Sequence, residues 1–382
     1  MSLSRRSVLS VIGGGVIVAA GSIGTFLATR TPTTALEPWA QAGVGYADPR
    51  LEALSWAILA PNPHNRQPWL IRLDSKTTVT LFADSNRKLP ATDPYDRQIT
   101  IGLGCFLEIA RMAAAVAGYH LEIKAFPEGE DTNRLTERPV ARLEFIETAK
   151  LVDPLFAQVL SRRSCKEPFD MTRPPTPAAV EALFSILPDG VRGAGTTESA
   201  TVARIADLAW KGLQVETNTD RTYRESVDLI RIGRREIEAN PDGIDLGGPF
   251  LESLSLIGML DREQLADPAS TAFAQGLEMY RALFEATPAF VWLATDGNSR
   301  RAQLRAGAAW VRLNLATTAA GLALHPVSQT LQEYPEMTTL NRQIHQELAE
   351  PGETVQMLGR LGHGPETAPS PRWPLDSRVV QA

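Results

Sequence analysis

The sequence predicts an α+β fold built from two unequal copies of one helix–strand unit. Two apolar, Ala-rich helical patterns, 99–118 and 302–321, each lead into a short apolar strand. Gly104 and Gly307 within them are 203 positions apart (307 − 104), and the glycines that end the two patterns share this offset (321 − 118). The offset indicates an internal repeat, with chance similarity between two Ala-rich helices as the alternative. Helices and strands are mixed without strict alternation, which favours α+β.

Residues 1–35 are predicted to be a twin-arginine export signal. Arg5 and Arg6 precede an uncharged stretch, 8–28, that is rich in Gly, Ala and Val, and this arrangement is typical of such a signal. The stretch also has about the 20 residues that a membrane span needs. Positions 33–35 match a cleavage site poorly, so the segment is either removed or kept as an anchor. The expected partner is the twin-arginine export machinery, and the expected location is the periplasm or the outer face of the inner membrane.

The first copy is expected over 36–150. Glu52 begins a helical pattern that ends near a proline, and apolar runs predict strands over 69–73, 77–83, 120–126 and 140–145. In the long helix between the second and third strands, Glu108 and Arg111 form an i,i+3 pair, and Gly118 is placed as the C-terminal cap. These elements predict one helix–strand half.

The second copy is expected over 151–382. A helical pattern over 178–187 matches the one that begins at Glu52, and further helical patterns cover 201–217, 222–239, 271–286 and 302–321. Apolar runs predict strands over 290–295, 323–327 and 355–361. The segment 241–260 is Gly-rich and then apolar, which is typical of a lid or a surface insertion.

Composition and charge exclude several classes of function. The chain has 382 residues, 43% of them hydrophobic, which is ample for a sizeable core. A net charge of −6 without a basic stripe argues against a nucleic-acid partner. Five His and two Cys, with no Cys-x-x-Cys pair, predict no metal site. Cys105 and Cys165 either form a disulfide after export or, as the favoured interpretation, stay separate thiols with Cys105 inside a helix.

A rigid, polar loop is expected after the first short helix. The segment 60–69 contains three prolines, which restrict its backbone between a helix and a strand. Pro61 and Asn62 begin this loop, and Asn65 and Gln67 within it offer hydrogen-bond donors as well as acceptors. The edge of a flavin ring requires both. A Pro-rich connector with polar surface residues is the alternative.

Two basic segments lie further along the chain. Arg162, Arg163, Ser164 and Lys166 form a run in which arginine suits bidentate contacts to phosphate, serine adds a hydroxyl donor and lysine a movable charge. An exposed basic run at a domain junction is the alternative. Arg372 lies in a Pro-rich tail and indicates little by itself.

Together these segments resemble the nitroreductase family of flavoproteins, over most of the chain after the signal. The family's phosphate pattern, Arg-x-Ser-x-Lys/Arg-x-Phe, is similar to Arg162, Ser164 and Lys166, with Pro168 as an insertion before the phenylalanine. Arg372 resembles the family's C-terminal phosphate-binding arginine. The resemblance therefore implies FMN as the cofactor.

The loop motif of the family is present with one change. Its pattern Pro-Ser-x-x-Asn-x-Gln-Pro-Trp is similar to 61–69, where Asn62 replaces the serine. A second departure concerns the segment 326–329, which reads Pro-Val-Ser-Gln where many nitroreductases have Pro-x-Glu-Gly near the flavin N5. Ser328 therefore stands at the position of an acidic residue, and nicotinamide access becomes an open question.

The order of the motifs is reversed relative to the family. Arg162 follows Asn65 by 97 positions (162 − 65), whereas family members carry the phosphate motif before the loop. In the family's homodimers each flavin is held by the phosphate motif of one subunit and the loop of the other. The second copy's equivalent loop, near 187–190, lacks the Asn-x-Gln-Pro-Trp motif. The resemblance thus implies a nitroreductase-like fold of two fused copies, an intramolecular pseudo-dimer that is monomeric and holds one FMN, similar to the Acg-like branch.

The resemblance also assigns roles to residues. The protein is expected to supply no catalytic acid, base or nucleophile, because the flavin carries the chemistry. Lys166 is expected to stabilise the charge of the reduced flavin and so to tune it. The implied cofactor-binding residues are Pro61, Asn62, Asn65, Gln67, Arg162, Arg163, Ser164, Lys166, Ser328 and Arg372.

The implied activity is that of an FMN-dependent oxidoreductase with two-electron ping-pong transfer. A small-molecule donor would reduce the flavin, and a nitroaromatic, a quinone or another small acceptor would reoxidise it. An FMN-binding or sequestering protein with little or no turnover is the alternative, which Ser328 and the possible lid over 241–260 favour. A third possibility is a membrane-tethered protein with a vestigial site, because of the stretch 8–28.

Overall fold

The structure is a computed structural model that describes residues 31–380, so most of the predicted export signal lies outside the described residues. The helices are α1 Glu37–Gln41, α2 Pro49–Ala57, α3 Arg97–Ala117, α4 Pro177–Ala182, α5 Ser199–Thr217, α6 Asp220–Asp228, α7 Gly233–Ala239, α8 Pro249–Leu256, α9 Arg262–Ala266, α10 Thr271–Glu285, α11 Arg300–Ala319 and α12 Thr338–Leu348. The strands are β1 Trp69–Leu73, β2 Thr78–Ala83, β3 Tyr119–Ala125, β4 Ala141–Glu147, β5 Arg192–Thr196, β6 Ile230–Ile232, β7 Ile244–Leu246, β8 Ala289–Asp296, β9 Ala323–Pro326, β10 Glu353–Gly362 and β11 Val379–Val380. The predicted α+β class is confirmed.

Two sheets of the same topology form the two halves. In the first half the strand order is β1-β2-β4-β3, and in the second it is β5-β8-β10-β9, with antiparallel pairing throughout. In each half a long helix, α3 or α11, connects the second strand to the third. The last strand, β11, crosses back and pairs in parallel with β1. The second half therefore contributes the edge strand of the first sheet.

The two long helices pack against each other at the centre of the molecule. A Cβ on Gly104 would lie 2.2 Å from the carbonyl oxygen of Leu304, and one on Gly307 would lie 2.1 Å from that of Ile101. Ile101 and Leu304 are themselves 203 positions apart (304 − 101), so the same contact is made twice, as across a two-fold axis. Only glycine lets two helix backbones approach this closely. The predicted pseudo-dimeric arrangement of the fold is confirmed.

The first residues of the two long helices also correspond. Arg97 and Arg300 are 203 positions apart (300 − 97), and each is 2% exposed. Arg97 donates to the carbonyl oxygens of Leu331 (2.8 Å) and Gln356 (2.7 Å) in the second half. Arg300 donates to the carbonyl oxygen of Tyr95 (2.7 Å) in the first half. Each half is thus tied to the other by a buried arginine.

Most sequence-based boundaries agree with the structure, and one helix does not. Gly118 ends α3 in the left-handed region (φ +96°), as predicted for a C-terminal cap, and Glu108 pairs with Arg111 at 2.7 Å. The continuous helix predicted over 222–239 is wrong. Gly233 has φ +73° and the strand β6 intervenes, because its backbone pairs with β7. The helices between β5 and β8 form an insertion that makes the second copy the larger one.

The interior is shared between the halves. One apolar cluster contains buried residues of both α3 and α11 and of both large sheets. Within residues 31–380, α3 is the one helix that is long and apolar enough to cross a membrane, and it lies buried in this core. Cys105, in α3, and Cys165 are both buried free thiols, as the favoured interpretation expected.

A buried carboxyl group joins the insertion to the rest of the second half. Glu216, at the end of α5, is 5% exposed. Its carboxylate accepts hydrogen bonds from Gln332 Nε2 (2.8 Å) and Ser226 Oγ (3.2 Å). Burial raises the pKa of Glu216 to about 7, although these two hydrogen bonds oppose the shift. The folded state therefore binds the Glu216 proton more tightly than the unfolded chain does.

Glu216 is expected to make stability fall as the pH rises. Because its folded pKa of about 7 exceeds the ordinary value of 4.5, its contribution is complete below pH 4.5 and is lost as the pH passes through 7. At about 1.4 kcal/mol per pKa unit, the loss is about 3 kcal/mol of unfolding free energy. Urea unfolding of Glu216→Gln at pH 5.5 and pH 8 should show a smaller difference than the parent does. Glu278→Gln, at an exposed position of α10, should keep the parent's difference, and equal pH dependence in all three proteins would contradict the assignment.

Candidate functional site

Three segments that are distant in sequence meet where the halves join. They are the loop 60–68 before β1, the segment 162–169 after the first copy, and the tail 363–374 between β10 and β11. The side chain of Trp39, in α1, lies beneath two of their cations. The guanidinium of Arg163 is 4.7 Å from its ring centre, and that of Arg372 is 5.4 Å. The structure thus brings together the loop and both basic segments.

The loop 60–68 has an unusual backbone. His64, Asn65 and Gln67 all have positive φ values, of 46°, 50° and 51°. Non-glycine residues rarely adopt this region, and clusters of them occur at functional sites. Asn62 braces the turn from within, since its Nδ2 donates to Ala60 O (3.1 Å) and its Oδ1 accepts from Gln67 N (2.6 Å). The nitrogen and the oxygen of the Asn62 side-chain amide are therefore both hydrogen-bonded within the loop.

Gln67 holds the loop to the tail 363–374 and to Pro241. Its side chain is fully buried. Its Nε2 donates to Pro241 O (2.7 Å), and its Oε1 accepts from Trp373 N (2.8 Å). Nearby, Asp242 accepts from Arg66 (2.9 Å). Pro61 is half-buried at the start of the loop. The side-chain amides of Asn62 and Gln67 are thus used to hold the loop in place. Direct contact of Pro61, Asn62 and Gln67 with a cofactor stays a prediction.

Two buried arginines lie side by side against the loop. Arg162 is 3% exposed and Arg372 is 2% exposed. Each donates from Nη2 to the same acceptor, the carbonyl oxygen of Leu59, at 3.2 Å. Arg372 also donates from Nη1 to Asn65 Oδ1 at 2.6 Å, so Asn65 orients it. The Nε–H groups of both arginines are buried and have no hydrogen-bond partner among residues 31–380.

The positive charges of Arg162 and Arg372 favour a bound anion. Burial, together with mutual repulsion among the arginines, lowers the pKa of Arg372 to about 9. For Arg162, burial and the charge of Arg163 lower the pKa to about 10. Both remain protonated at pH 7. Within the described part of the chain neither forms an ion pair with an acidic side chain, although the charge of Asp245 acts on Arg372 and opposes the lowering of its pKa. A buried charge without an ion-pair partner is costly, and paired guanidinium groups suit a phosphate.

The neighbouring residues of the phosphate-like segment differ in exposure. Arg163 turns its Nη1 to the carbonyl oxygens of Leu160 and Arg162, both at 2.7 Å. Ser164 is half-buried, and Lys166 is exposed. Between these two residues, the backbone N–H of Cys165 donates to Leu324 O at 3.0 Å. This bond attaches the segment to β9.

Lys166 lies where three parts of the chain come together. Burial lowers the pKa of His64 in the loop and of His325 in β9, and the charge of Lys166 adds to both shifts, while it acts against the effect of burial on Asp245 in β7. For Asp245 burial is the larger effect, and the pKa of this carboxyl is raised overall. Burial lowers the pKa of His64 to about 4, and its Nδ1 has no partner among the described residues. Lys166 therefore provides an accessible positive charge beside a neutral imidazole.

His325 is a site residue that the sequence interpretation missed. It is 6% exposed, and its Nδ1 lies 3.0 Å from Arg360 Nη1. Because arginine can only donate, Nδ1 must be the acceptor and Nε2 must carry the hydrogen. Burial, with the charges of Arg360 and Lys166, holds the pKa of His325 well below its usual value. The signal in the sequence was its position, three residues before Ser328.

Arg360 supports the segment that carries Lys166. It is fully buried and lies 4.4 Å from the ring centre of Phe169. Its Nη2 contacts the carbonyl oxygen of Glu167 at 3.4 Å. Ser328 is half-buried and precedes a short 3₁₀ turn, Gln329–Leu331. Contact of Ser328 with a cofactor stays a prediction, and so does contact of Arg163 and of Ser164.

Comparison with known proteins decides the kinship of the chain. It is 27% identical over 334 residues to an uncharacterised protein of Mycobacterium tuberculosis, which covers 85% of this chain and 91% of that protein. It is 25% identical over 328 residues to the protein of the same organism named "Putative NAD(P)H nitroreductase acg", over 85% and 93% of the two chains. The chain is thus similar to Acg, a protein named as a nitroreductase. No family model matches it.

Solved structures resemble this Acg-like chain only in part. A structure described as a putative nitroreductase from Anabaena variabilis aligns over 90% of this chain and 91% of its own, with a TM-score of 0.44 and 13% identity. The FMN-dependent nitroreductase NfnB from Mycobacterium smegmatis, in complex with NADPH, aligns over 57% of this chain and 92% of its own, with a TM-score of 0.35 and 17% identity. The assignment of the site therefore depends on the residues described above.

Proposed function

We propose that the chain binds one FMN at the junction of its halves and transfers electrons through it as a nitroreductase-type oxidoreductase. The observation that carries this proposal is the pair Arg162 and Arg372, two buried cations whose Nε–H donors are unpaired and which form no ion pair within residues 31–380. The flavin, when bound, supplies the two-electron redox chemistry. The donor set fits a phosphate ester beside a strained polar loop.

The roles of the protein residues follow from their places. Arg162 and Arg372 bind the phosphate, and Asn65 holds Arg372 in the required orientation through its Oδ1. Lys166 places a positive charge between the loop and β9, where it stabilises negative charge that develops on a bound ring system. The loop 60–68 is held rigidly by Gln67, so its backbone groups are pre-organised for the ring edge.

The donor and acceptor are inferred from the relatives. Because the relative Acg carries the name "Putative NAD(P)H nitroreductase", we infer ping-pong transfer from a nicotinamide or another small donor to a nitroaromatic, a quinone or another small acceptor. A second candidate function is an FMN-binding protein with little turnover. Ser328 favours it, since no carboxylate occupies that position, and so does the attachment of Pro241 to the loop through Gln67.

Three further features belong to the proposal. Duplication and fusion of one subunit would account for the shared strand order of the two sheets and for the 203-residue offset. A fused chain of this kind would be a monomer. It would hold one complete site, because the sequence contains one copy of the loop motif. Export by the twin-arginine machinery would place the site in the periplasm or at the outer face of the inner membrane, according to Arg5 and Arg6.

Counting the flavin tests the proposal most directly. Protein purified from cells should release one FMN per chain on denaturation, identified by chromatography and compared with the protein concentration. Reduction of the bound flavin by NADH, NADPH or dithionite, followed by reoxidation with a nitroaromatic or a quinone, then separates an enzyme from a binding protein. Two flavins per chain, bound FAD, or no flavin affinity at all would contradict the proposed site.

Lys166→Met should lower the reduction potential of the bound flavin. Removing a partly desolvated charge beside the ring is expected to cost about 1.4 kcal/mol, which corresponds to about 30 mV for a two-electron couple. Potentials measured by spectroscopic redox titration should therefore shift downward while FMN stays bound. Lys76→Met, at an exposed position of the β1–β2 turn, should leave the potential unchanged. An unchanged potential in Lys166→Met would place this lysine away from the ring.

A further inference from the structure

A short segment of the insertion exposes several large apolar side chains. Phe250 in α8 is 38% exposed, and Leu256, Ile257 and Met259 at its end are 67%, 67% and 53% exposed. We name residues 250–259 the apolar segment. Single exposed apolar residues are ordinary, but four within ten positions form a patch of the kind that marks an interaction site.

The apolar segment lies beside the point where the described chain begins. Arg234 N, in α7, donates to Glu252 Oε2 of α8 at 3.3 Å, and Arg234 Nη2 donates to Thr33 Oγ1 at 3.3 Å. Glu238 of α7 accepts from Thr33 N (2.6 Å) and Ala35 N (2.8 Å). Residues 33–35 are thus fastened to α7, and α7 in turn contacts α8, the helix at which the apolar segment begins.

Chain length limits how far the uncharged stretch 8–28 can be from this face. Thr33 follows Ala28 by five residues (33 − 28). An extended chain spans at most about 3.6 Å per residue, so the end of the stretch lies within about 18 Å of Thr33. If the stretch is in a bilayer, α7 and α8 are held at that bilayer's surface. The stretch has 21 residues (8 to 28) without a charge, about the length that spans a bilayer.

Charge on this face also suits a membrane. Arg235 of α7 is exposed and makes no ion pair within residues 31–380. A cation on this helix attracts anionic headgroups. Arg372 of the proposed FMN site is attached to the same stretch of chain, because its backbone N–H donates to Ala35 O at 2.8 Å.

We propose that the apolar segment docks on a lipid bilayer, with Leu256, Ile257 and Met259 below the headgroups and the stretch 8–28 held in the same bilayer. An amphipathic surface element of this kind binds by apolar burial together with attraction to anionic lipid. The docking does not depend on flavin binding.

Lipid quenching of a fluorophore tests the docking in the full chain. The chain is reconstituted into vesicles of phosphatidylcholine and phosphatidylglycerol, and a fluorophore is attached to Met259→Cys. Both native cysteines are buried, which favours labelling at the new one. Brominated acyl chains should quench the fluorophore at 259 strongly. The same label on Leu151→Cys, an exposed position in the linker between the halves, should not be quenched.

A matched pair of double variants tests whether quenching at 259 requires burial of Leu256 and Ile257 among the acyl chains or only closeness of the protein to the membrane. Leu256→Asp with Ile257→Asp should abolish quenching at 259, because charged side chains resist burial among acyl chains. Leu151→Asp with Val152→Asp removes side chains of nearly equal exposure, 68% and 65% against 67% and 67%, and should leave the quenching at 259 intact. Circular dichroism confirms that each variant is folded.

Three results would overturn the proposal. The first is a fluorophore at 259 that stays water-exposed and unquenched. The second is a fluorophore that is shielded from water yet unquenched by brominated lipid, which would mean that the chain's own stretch 8–28 or a second copy covers the segment. The third is quenching that persists in Leu256→Asp with Ile257→Asp.

Discussion

Gly104→Ala is expected to destabilise the protein strongly, because it disturbs the helix contact between the two halves. The new Cβ would lie 2.2 Å from Leu304 O and 2.9 Å from Leu304 Cα, both of them backbone atoms that no rotamer change can move. Since α3 and α11 form the centre of the shared core, the clash must shift one helix as a whole. We expect a loss of about 4 kcal/mol or more in the free energy of unfolding, which is in the range of the most damaging single substitutions. Urea unfolding followed by circular dichroism measures it.

Gly276→Ala provides the matched control for this prediction. Gly276 is also a helical glycine, in α10, but a Cβ there would meet no atom within 4 Å. Alanine in an exposed helix stabilises by about 0.5–1 kcal/mol relative to glycine. The two substitutions should therefore move the urea midpoint in opposite directions. A parent-like midpoint for Gly104→Ala would mean that the close helix contact does not exist.

Arg162→Ala combined with Arg372→Ala is expected to abolish tight FMN binding. Each arginine would lose a charge-assisted contact to the phosphate of about 1.5–3 kcal/mol. If the two losses add, the dissociation constant should rise by a factor of about a hundred to ten thousand. Fluorescence titration of the flavin-free proteins measures this rise, and each single variant should fall between the parent and the double variant.

Riboflavin separates a phosphate contact from damage to the loop. It lacks the phosphate, so the parent and the double variant should bind it alike. Arg372 also donates to Asn65 Oδ1, and a disturbed loop would weaken riboflavin binding as well as FMN binding. Arg173→Ala with Arg301→Ala, at two exposed positions, should leave both affinities unchanged. Equal losses for FMN and riboflavin in the double variant would contradict a phosphate site.

The site explains why the order of the motifs is reversed. The loop 60–68 belongs to the first half, and the segment 162–169 follows it in the chain. Arg162 of that segment and Arg372 of the tail both donate to the carbonyl oxygen of Leu59, the residue just before the loop. The tail then returns to the first half, where Trp373 N reaches Gln67 and β11 pairs with β1. One site is therefore assembled from three segments that a homodimer would draw from two chains.

Local patterns in the sequence were enough to place the regular elements. The strand β1 was predicted with its observed bounds, and the glycines after α3 and α11 end those helices with φ values of +96° and +68°. These features depend on residues close together in the chain, where periodicity and glycine's conformational freedom decide. The continuous helix over 222–239 failed because β6 pairs with β7, and such pairing is not visible in a local pattern.

The sequence by itself determined the α+β class, the 203-residue repeat and the three segments that meet at the site, since each is a property of residue type and spacing. Only the tertiary structure decided what the side chains of those segments do. Gln67 is bound to Trp373, 306 positions away, so its amide holds the loop together. His325 takes a fixed tautomer because Arg360 of a neighbouring strand donates to it. Contacts of this kind depend on which backbones are adjacent in space, and that is settled by the packing of the whole chain.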